Sequence, residues 1–188
     1  MSQRLFVAIQ PDATTTAQLR DQLVGPRAAL TGRPLRWNPE QQWHVTLLFT
    51  PNVRDHLVPE LVDGLRCLAT ARPGFELALA GGGAFPELTW ARHLIGLLDD
   101  PTDSLPALAQ DCRSLAGGLG LEHPEGPYQP HLTLARTNKA RNHAADAAWL
   151  RALRSDPWRV EEIVLVRSVL GIRGHAEHTV AATFPLGG

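Results

Sequence analysis

His44 and Thr46 stand two residues apart, and so do His131 and Thr133, 87 positions further along. In a strand, residues two apart share a face, with Cα atoms roughly 6.5–7 Å from each other. An imidazole and a hydroxyl at that separation can both contact one phosphate-sized group. Two such pairs facing each other across a groove supply two imidazoles and two hydroxyls, a set suited to phosphodiester chemistry. One imidazole takes a proton from the attacking oxygen while the other gives a proton to the leaving oxygen. An ordinary histidine pKa near 6.5 lets both states coexist near neutral pH. The threonines would donate to the non-bridging oxygens. Arg136, just after the second motif, would neutralise developing charge as a planar fork.

The bland reading is a pair of satisfied half-buried side chains, and for one copy it is the better one. Two copies are harder to dismiss. Trp43-His44-Val45-Thr46-Leu47-Leu48 recurs as Pro130-His131-Leu132-Thr133-Leu134-Ala135, with the apolar-polar alternation in the same phase. That is a weak internal duplication, and it implies a pseudo-two-fold relation. Pattern alone leaves both readings open.

The elements that must position these residues can be read from periodicity and breakers. Arg4–Ile9 reads as a strand, followed by a helix carrying Leu19 and Leu23 that ends at Gly25-Pro26. Arg36–Asn38 and Trp43–Phe49 read as strands, the second broken by Thr50-Pro51-Asn52. Leu57, Leu61, Leu65 and Leu68 give one helical stripe; Leu105, Leu108, Cys112, Leu115 and Leu119 give another, stopped by glycines 117, 118 and 120. Strands are expected at Phe75–Ala80, His93–Leu98 and His131–Ala135, a helix near 143–154, and final strands near 158–168 and 178–184. Helices are separated by two or more strands in several places, so the class is α+β and not a regular parallel βαβ sheet. No long polar linker divides the chain, and residues 1–188 read as one unit.

The chain has 188 residues, 44% of them hydrophobic and 20% charged, the balance of a globular protein. Lys and Arg total 18 against 19 Asp and Glu, a net charge of −1, which argues against a duplex-coating protein. A local phosphate site remains compatible with that balance. No apolar run approaches a membrane span or a secretory signal, so the expectation is a cytoplasmic protein without a membrane partner. Cys67 and Cys112 both fall at apolar helical positions and are expected as buried free thiols.

Other candidates are weaker. His175-x-x-His178 lacks further ligands, so no metal is expected. Gly81-Gly82-Gly83 is not followed by Gly-Lys-Ser/Thr and reads as a tight turn, not a phosphate loop. There is no Gly-x-Ser-x-Gly elbow, and the adjacent Glu161 and Glu162 would face opposite ways in a strand. Between Arg136 and Arg154 lie five basic residues and one acid, Asp146. They form either a solvated helix face or a short track for a nucleic-acid strand. Phe6, Trp37 and Tyr128 could stack a terminal base.

His44-Val45-Thr46-Leu47 and His131-Leu132-Thr133-Leu134-Ala135-Arg136 resemble the paired signatures of the two-histidine phosphoesterases. More closely, the chain resembles the bacterial 2′-5′ RNA ligase-like family of RNA 2′,3′-cyclic phosphodiesterases. The likeness includes Arg4-Leu5-Phe6-Val7-Ala8-Ile9, Leu35-Arg36-Trp37, Gly83-Ala84-Phe85-Pro86 and Pro127-Tyr128-Gln129-Pro130. It continues through Trp158-Arg159-Val160 and Val164-Leu165-Val166-Arg167-Ser168 to Phe184-Pro185-Leu186. The chain departs from the family near its end, where a tyrosine is common and His178 stands here.

The resemblance implies a bilobal fold, two antiparallel-sheet lobes with flanking helices in pseudo-two-fold symmetry around a central cleft. It implies hydrolysis of RNA 2′,3′-cyclic phosphate ends to a 2′-phosphate without metal or cofactor, with 2′-5′ joining as the secondary reverse reaction. In that reading His44 protonates the departing 3′ oxygen and His131 activates water. Thr46, Thr133 and Arg136 hold the phosphate, and Tyr128 contacts the substrate. The protein would act as a monomer with no obligate protein partner. A phosphoesterase for small cyclic nucleotides or 2′-5′ oligonucleotides, and a non-catalytic RNA-end binding module, are the alternatives.

Overall fold

The computed structural model describes residues 1–171 and 176–188. Strand β1 (Ser2–Ile9) buries Leu5, Val7 and Ile9 on one face and Phe6 and Ala8 on the other. Both faces are covered, which is why its sequence is an unbroken apolar run. Beside it lie β3 (Val45–Arg54) and β8 (Glu162–Leu170), and β9 (Ala176–Pro185) follows β8, all antiparallel. A second half is built from β6 (His131–Arg141), β5 (Ala91–Asp99), β4 (Phe75–Phe85) and β7 (Trp158–Val160), again antiparallel. The short β2 (Arg36–Trp37) pairs with β6. The halves meet where β3 pairs with β6 at Val45 and Leu132. The expected two lobes are therefore halves of one nine-stranded sheet.

Helices α1 (Ala13–Gln22) and α2 (Val24–Ala29) follow β1 but cover the other half. Their Leu19, Leu23 and Leu30 are buried with Leu94, Leu132 and Leu134. Helix α4 (Ser104–Gly118) follows β5 and crosses back, burying Leu105, Leu108 and Cys112 with Val45 and Leu47, alongside α3 (Val58–Thr70). Each buried leucine is worth about 1.5–3 kcal/mol, so this exchange of helices fixes one half against the other. Asp12 caps α1 by accepting from the Thr15 amide at 2.7 Å.

Several local expectations are corrected. Gly25-Pro26 does not stop the helical segment, because Pro26 falls in the first turn of α2, where an N–H has no helical partner. Strand β3 continues through Thr50-Pro51-Asn52. Leu5 pairs with Thr50 and Gln3 with Val53, so Pro51 and Asn52 sit in a bulge that needs no ladder donor. The glycine run 81–83 is not a turn but the interior of β4. Gly82 packs there against Leu150, and the carbonyl oxygens of Leu150 and Ile95 lie 2.8 and 3.0 Å from where a Cβ would stand. The helix near 143–154 shrinks to α5 (Ala144–Ala148). Residues 158–168 are two strands that part at Glu161, where the chain passes from one half to the other. Cys112 is buried as expected, whereas Cys67 is exposed on α3, outside the stripe of Leu61, Leu65 and Ala69.

No helix among the described residues is long and apolar enough to cross a membrane.

Candidate active site

His44 immediately precedes β3 and His131 opens β6. Val45 and Leu132 are buried in the two cores, while His44, Thr46, His131 and Thr133 keep partial access on the opposite face. The pairing of Val45 with Leu132, carried one residue each way in antiparallel register, sets His44 beside Thr133 and Thr46 beside His131. The structure thus brings the two motifs together, each threonine next to the other copy's histidine.

Both imidazoles are held the same way. Nδ1–H of His44 donates to the Gln42 carbonyl at 2.7 Å, and Nδ1–H of His131 donates to the Gln129 carbonyl at 2.8 Å. A carbonyl only accepts, so Nδ1 carries the proton in each neutral ring and Nε2 keeps its lone pair. Burial pushes His44 down to about 4, against the raising effect of the Gln42 bond and with the positive neighbours His178, Arg136 and His131 adding to the fall. His131 is lowered by burial too, countered by the Gln129 bond and reinforced by Arg136.

Each ring also rests on a phenylalanine, a feature the sequence did not reveal as paired. Phe6 stacks on His44 with centroids 4.7 Å apart, and Phe85 stacks on His131 at 4.5 Å. A further histidine joins each stack. His178 meets His44 edge-on at 5.6 Å and Phe6 at 5.0 Å, while His93 lies 6.1 Å from Phe85. Burial lowers His93 to about 4, with Arg136, His131 and Arg92 acting in the same direction.

Arg136 is three residues from Thr133, an odd step that would put it on the far face of a regular strand. A bulge corrects this: Ile95 pairs with Thr133 but Leu94 pairs with Ala135, leaving Leu134 as the extra residue. The first half repeats the device. Ala8 pairs with Thr46 and Val7 with Leu48, so Leu47 is the extra residue and Phe49 is the counterpart of Arg136. The Arg136 charge bears on His44, His131, His93 and His178 alike.

Tyr128 is placed differently from a free stacking platform. Its hydroxyl donates to the Thr46 carbonyl at 3.0 Å, and its ring packs against the core with Arg113 over it at 5.7 Å. Phe6 and Trp37 are likewise packed, Phe6 in the cleft floor with Val164 and Val166. Of the pair His175-x-x-His178, His175 lies outside the described residues. Among the described residues, no three His, Cys, Asp or Glu side chains gather as metal ligands. A cavity of about 330 Å³ opens beside His131, walled by Gly83, Ile95, Leu97 and Pro130, with Glu87 and Arg151 among its polar groups. A smaller one of about 70 Å³ lies beside His44 between Phe6 and His178.

The sequence model of the 2′-5′ RNA ligase superfamily matches residues 8–171. An RNA 2′,3′-cyclic phosphodiesterase of Geobacillus stearothermophilus is 31% identical over 161 residues, which cover 84% of this chain and 50% of that protein. One of Aeropyrum pernix is 28% identical over 137 residues, 73% of this chain and 74% of that one. The chain thus spans half the length of the first relative and about three quarters of the second. Among solved structures, a Thermus thermophilus protein superposes with a TM-score of 0.77 at 27% identity, covering 98% of both chains. Escherichia coli LigT complexed with 3′-AMP gives 0.74 at 25%, covering 99% of both.

Proposed function

The chain belongs to the 2′-5′ RNA ligase superfamily, and from that premise we propose that it opens the 2′,3′-cyclic phosphate at RNA ends, leaving a 2′-phosphate. The observation that carries this reading is the matched pair of histidines, each locked through Nδ1 with its Nε2 left free, on the two strands that meet at Val45 and Leu132. Binding alone would not require two such bases. His131 Nε2 takes a proton from water as the water oxygen bonds to phosphorus. The P–O3′ bond breaks, and the 3′ oxygen takes a proton from Nε2–H of His44, which enters the step as the imidazolium and leaves it neutral. Arg136 and the hydroxyls of Thr46 and Thr133 steady the non-bridging oxygens. Tyr128 supports substrate contact by holding the Thr46 carbonyl. No step uses a metal or cofactor. With a 5′-hydroxyl in place of water, the same proton transfers would join ends through a 2′-5′ bond. The halves work as one bilobal unit, because each supplies one histidine.

A small cyclic nucleotide is the second reading, favoured by the similarity to LigT holding 3′-AMP. The test is incubation with a short RNA ending in a 2′,3′-cyclic phosphate in the presence of EDTA, separating 2′- from 3′-phosphate products. A 2′-phosphate is expected. Binding of the RNA without turnover, small cyclic nucleotides also untouched, would reduce the protein to an end-binding module.

A further inference from the structure

Three arginines gather at one end of the cleft without a carboxylate. Arg36 pairs directly with Arg136 across β2 and β6, and like charges so placed repel each other. Arg4 shares the cleft face of β1 with Phe6, two residues along, so it stands about one strand period (roughly 6.5–7 Å) beyond the Phe6–His44 stack. Its guanidinium lies over the Phe49 ring, 4.7 Å from the centroid. Phe49 is the counterpart of Arg136 across the pseudo-two-fold, so where the second half brings the Arg136 guanidinium directly, the first brings that of Arg4 by way of a stacked phenylalanine. Among the described residues none of the three makes an ion pair, and the buried Nε–H groups of Arg4 and Arg136 have no acceptor. A buried unsatisfied donor on a cation is costly, and an anion removes the cost. Arg4 also lines a cavity of about 590 Å³ with Ser2, Arg167 and Ser168, where the one carboxylate, Asp55, is already engaged by the Met1 amino group and the Gln3 amide.

We infer that Arg4 forms a second phosphate subsite that takes the phosphodiester on the 5′ side of the terminal nucleotide. The inference rests on the reaction proposed above and narrows its substrate to an RNA chain, because a nucleoside 2′,3′-cyclic phosphate lacks that group. Arg136 serves the reacting phosphate and Arg4 its upstream neighbour. The Phe49 ring holds the flat Arg4 guanidinium against the face it shares with Phe6.

The test compares adenosine 2′,3′-cyclic phosphate, the same compound with a 5′-phosphate, and a dinucleotide ending in the cyclic phosphate. A charge-assisted contact predicts that the wild type gains about tenfold to a hundredfold in kcat/KM from the 5′-phosphate or the internucleotide linkage. In Arg4→Gln that gain should fall to near onefold. A gain restricted to the 5′-phosphate monoester and absent for the dinucleotide would identify a mononucleotide site and overturn the assignment. So would no gain in the wild type, or an equal gain in Arg4→Gln. If no compound is hydrolysed, the reaction reading fails by itself. Calorimetric binding of adenosine 2′-phosphate against a dinucleotide ending in a 2′-phosphate then still decides the subsite: tighter binding of the dinucleotide supports it, and equal binding removes it. That wild-type comparison also decides the matter if Arg4→Gln does not fold.

Discussion

Val45 lies opposite Leu132 on the rung that joins the two halves of the sheet, so the middle residue of each His-x-Thr motif is the partner of the other. The site is therefore assembled at the seam between halves. Its geometry is fixed by two apolar side chains that are fully buried on the far face. The helices exchanged between halves hold that seam closed, α1 and α2 from one side and α4 from the other.

The two histidines act in one step from opposite sides, so their losses should not add. His44→Ala and His131→Ala are each expected to lower kcat by about 10²–10⁴-fold, and the double variant to be little worse than the poorer single one. Single-turnover hydrolysis of a cyclic-phosphate RNA measures this. Wild-type rates in either folded single variant would end the paired acid–base mechanism.

The pH profile follows from burial. Both histidines titrate below the ordinary 6.5, His44 near 4. The mechanism needs one protonated and one neutral, and the product of those two fractions is largest midway between the two values. The kcat/KM profile, which reports the free enzyme, should peak below pH 6.5 and decline on the alkaline side as the acid loses its proton. A bound phosphate anion favours the imidazolium, so the kcat profile should lie at higher pH than kcat/KM. A kcat/KM maximum above pH 7 would contradict the buried, cation-flanked site.

Arg136 reaches the cleft only because Leu134 is accommodated as an extra residue in β6. Its planar fork suits two non-bridging oxygens at once, which an ammonium does not reproduce. Arg136→Lys should reduce kcat/KM by about tenfold to a hundredfold, with little change in the thermal midpoint. Full activity in Arg136→Lys would mean that only its charge is used.

The paired motifs were legible because alternation in a strand is a local rule, and His44, Thr46, His131 and Thr133 obey it. Arg136 stands out by its charge just after the second motif, although strict alternation would place it on the wrong face, and only the pairing of β5 with β6 exposes the bulge. Phe85, His93, His178 and Arg4 come to the cleft from other strands through long-range register, which no local pattern encodes. The same limit explains Gly81-Gly82-Gly83. Glycines signal a turn locally, but here Gly82 is required by the approach of Leu150 from a distant segment. Pro51 misled in the same way, because a bulge tolerates what a ladder does not.

Two adjacent glycines offer a controlled comparison. A Cβ at Gly82 would collide with Leu150 and crowd two backbone carbonyls, whereas at Gly83 the nearest atoms, of Ile95 and Leu97, are 3.8–3.9 Å away. Gly82→Ala should cost about 1–3 kcal/mol through overpacking, read as a lower urea midpoint. Gly83→Ala should be near neutral, and equal losses at both positions would refute the close approach of Leu150, just beyond α5, to β4.

The last expectation concerns a buried network away from the cleft. Asp146, 3% exposed, accepts from His143 Nδ1–H at 2.7 Å and from Arg33 at 3.1 Å. Burial raises its carboxyl pKa, but the hydrogen bonds from His143 and Arg33 and their charge outweigh this and hold it below the ordinary 3.8. A depressed value in the folded state means stability that is present above pH 3.8 and lost as pH falls through the lowered value. Asp146→Asn should therefore lower stability at pH 7 and flatten the acid limb of the unfolding midpoint. Asp146→Ala leaves the buried His143 donor without an acceptor and should cost about 1–3 kcal/mol. Urea titrations between pH 3 and 7 measure both effects. An acid limb in Asp146→Asn as steep as that of the wild type would show that the network does not govern acid stability.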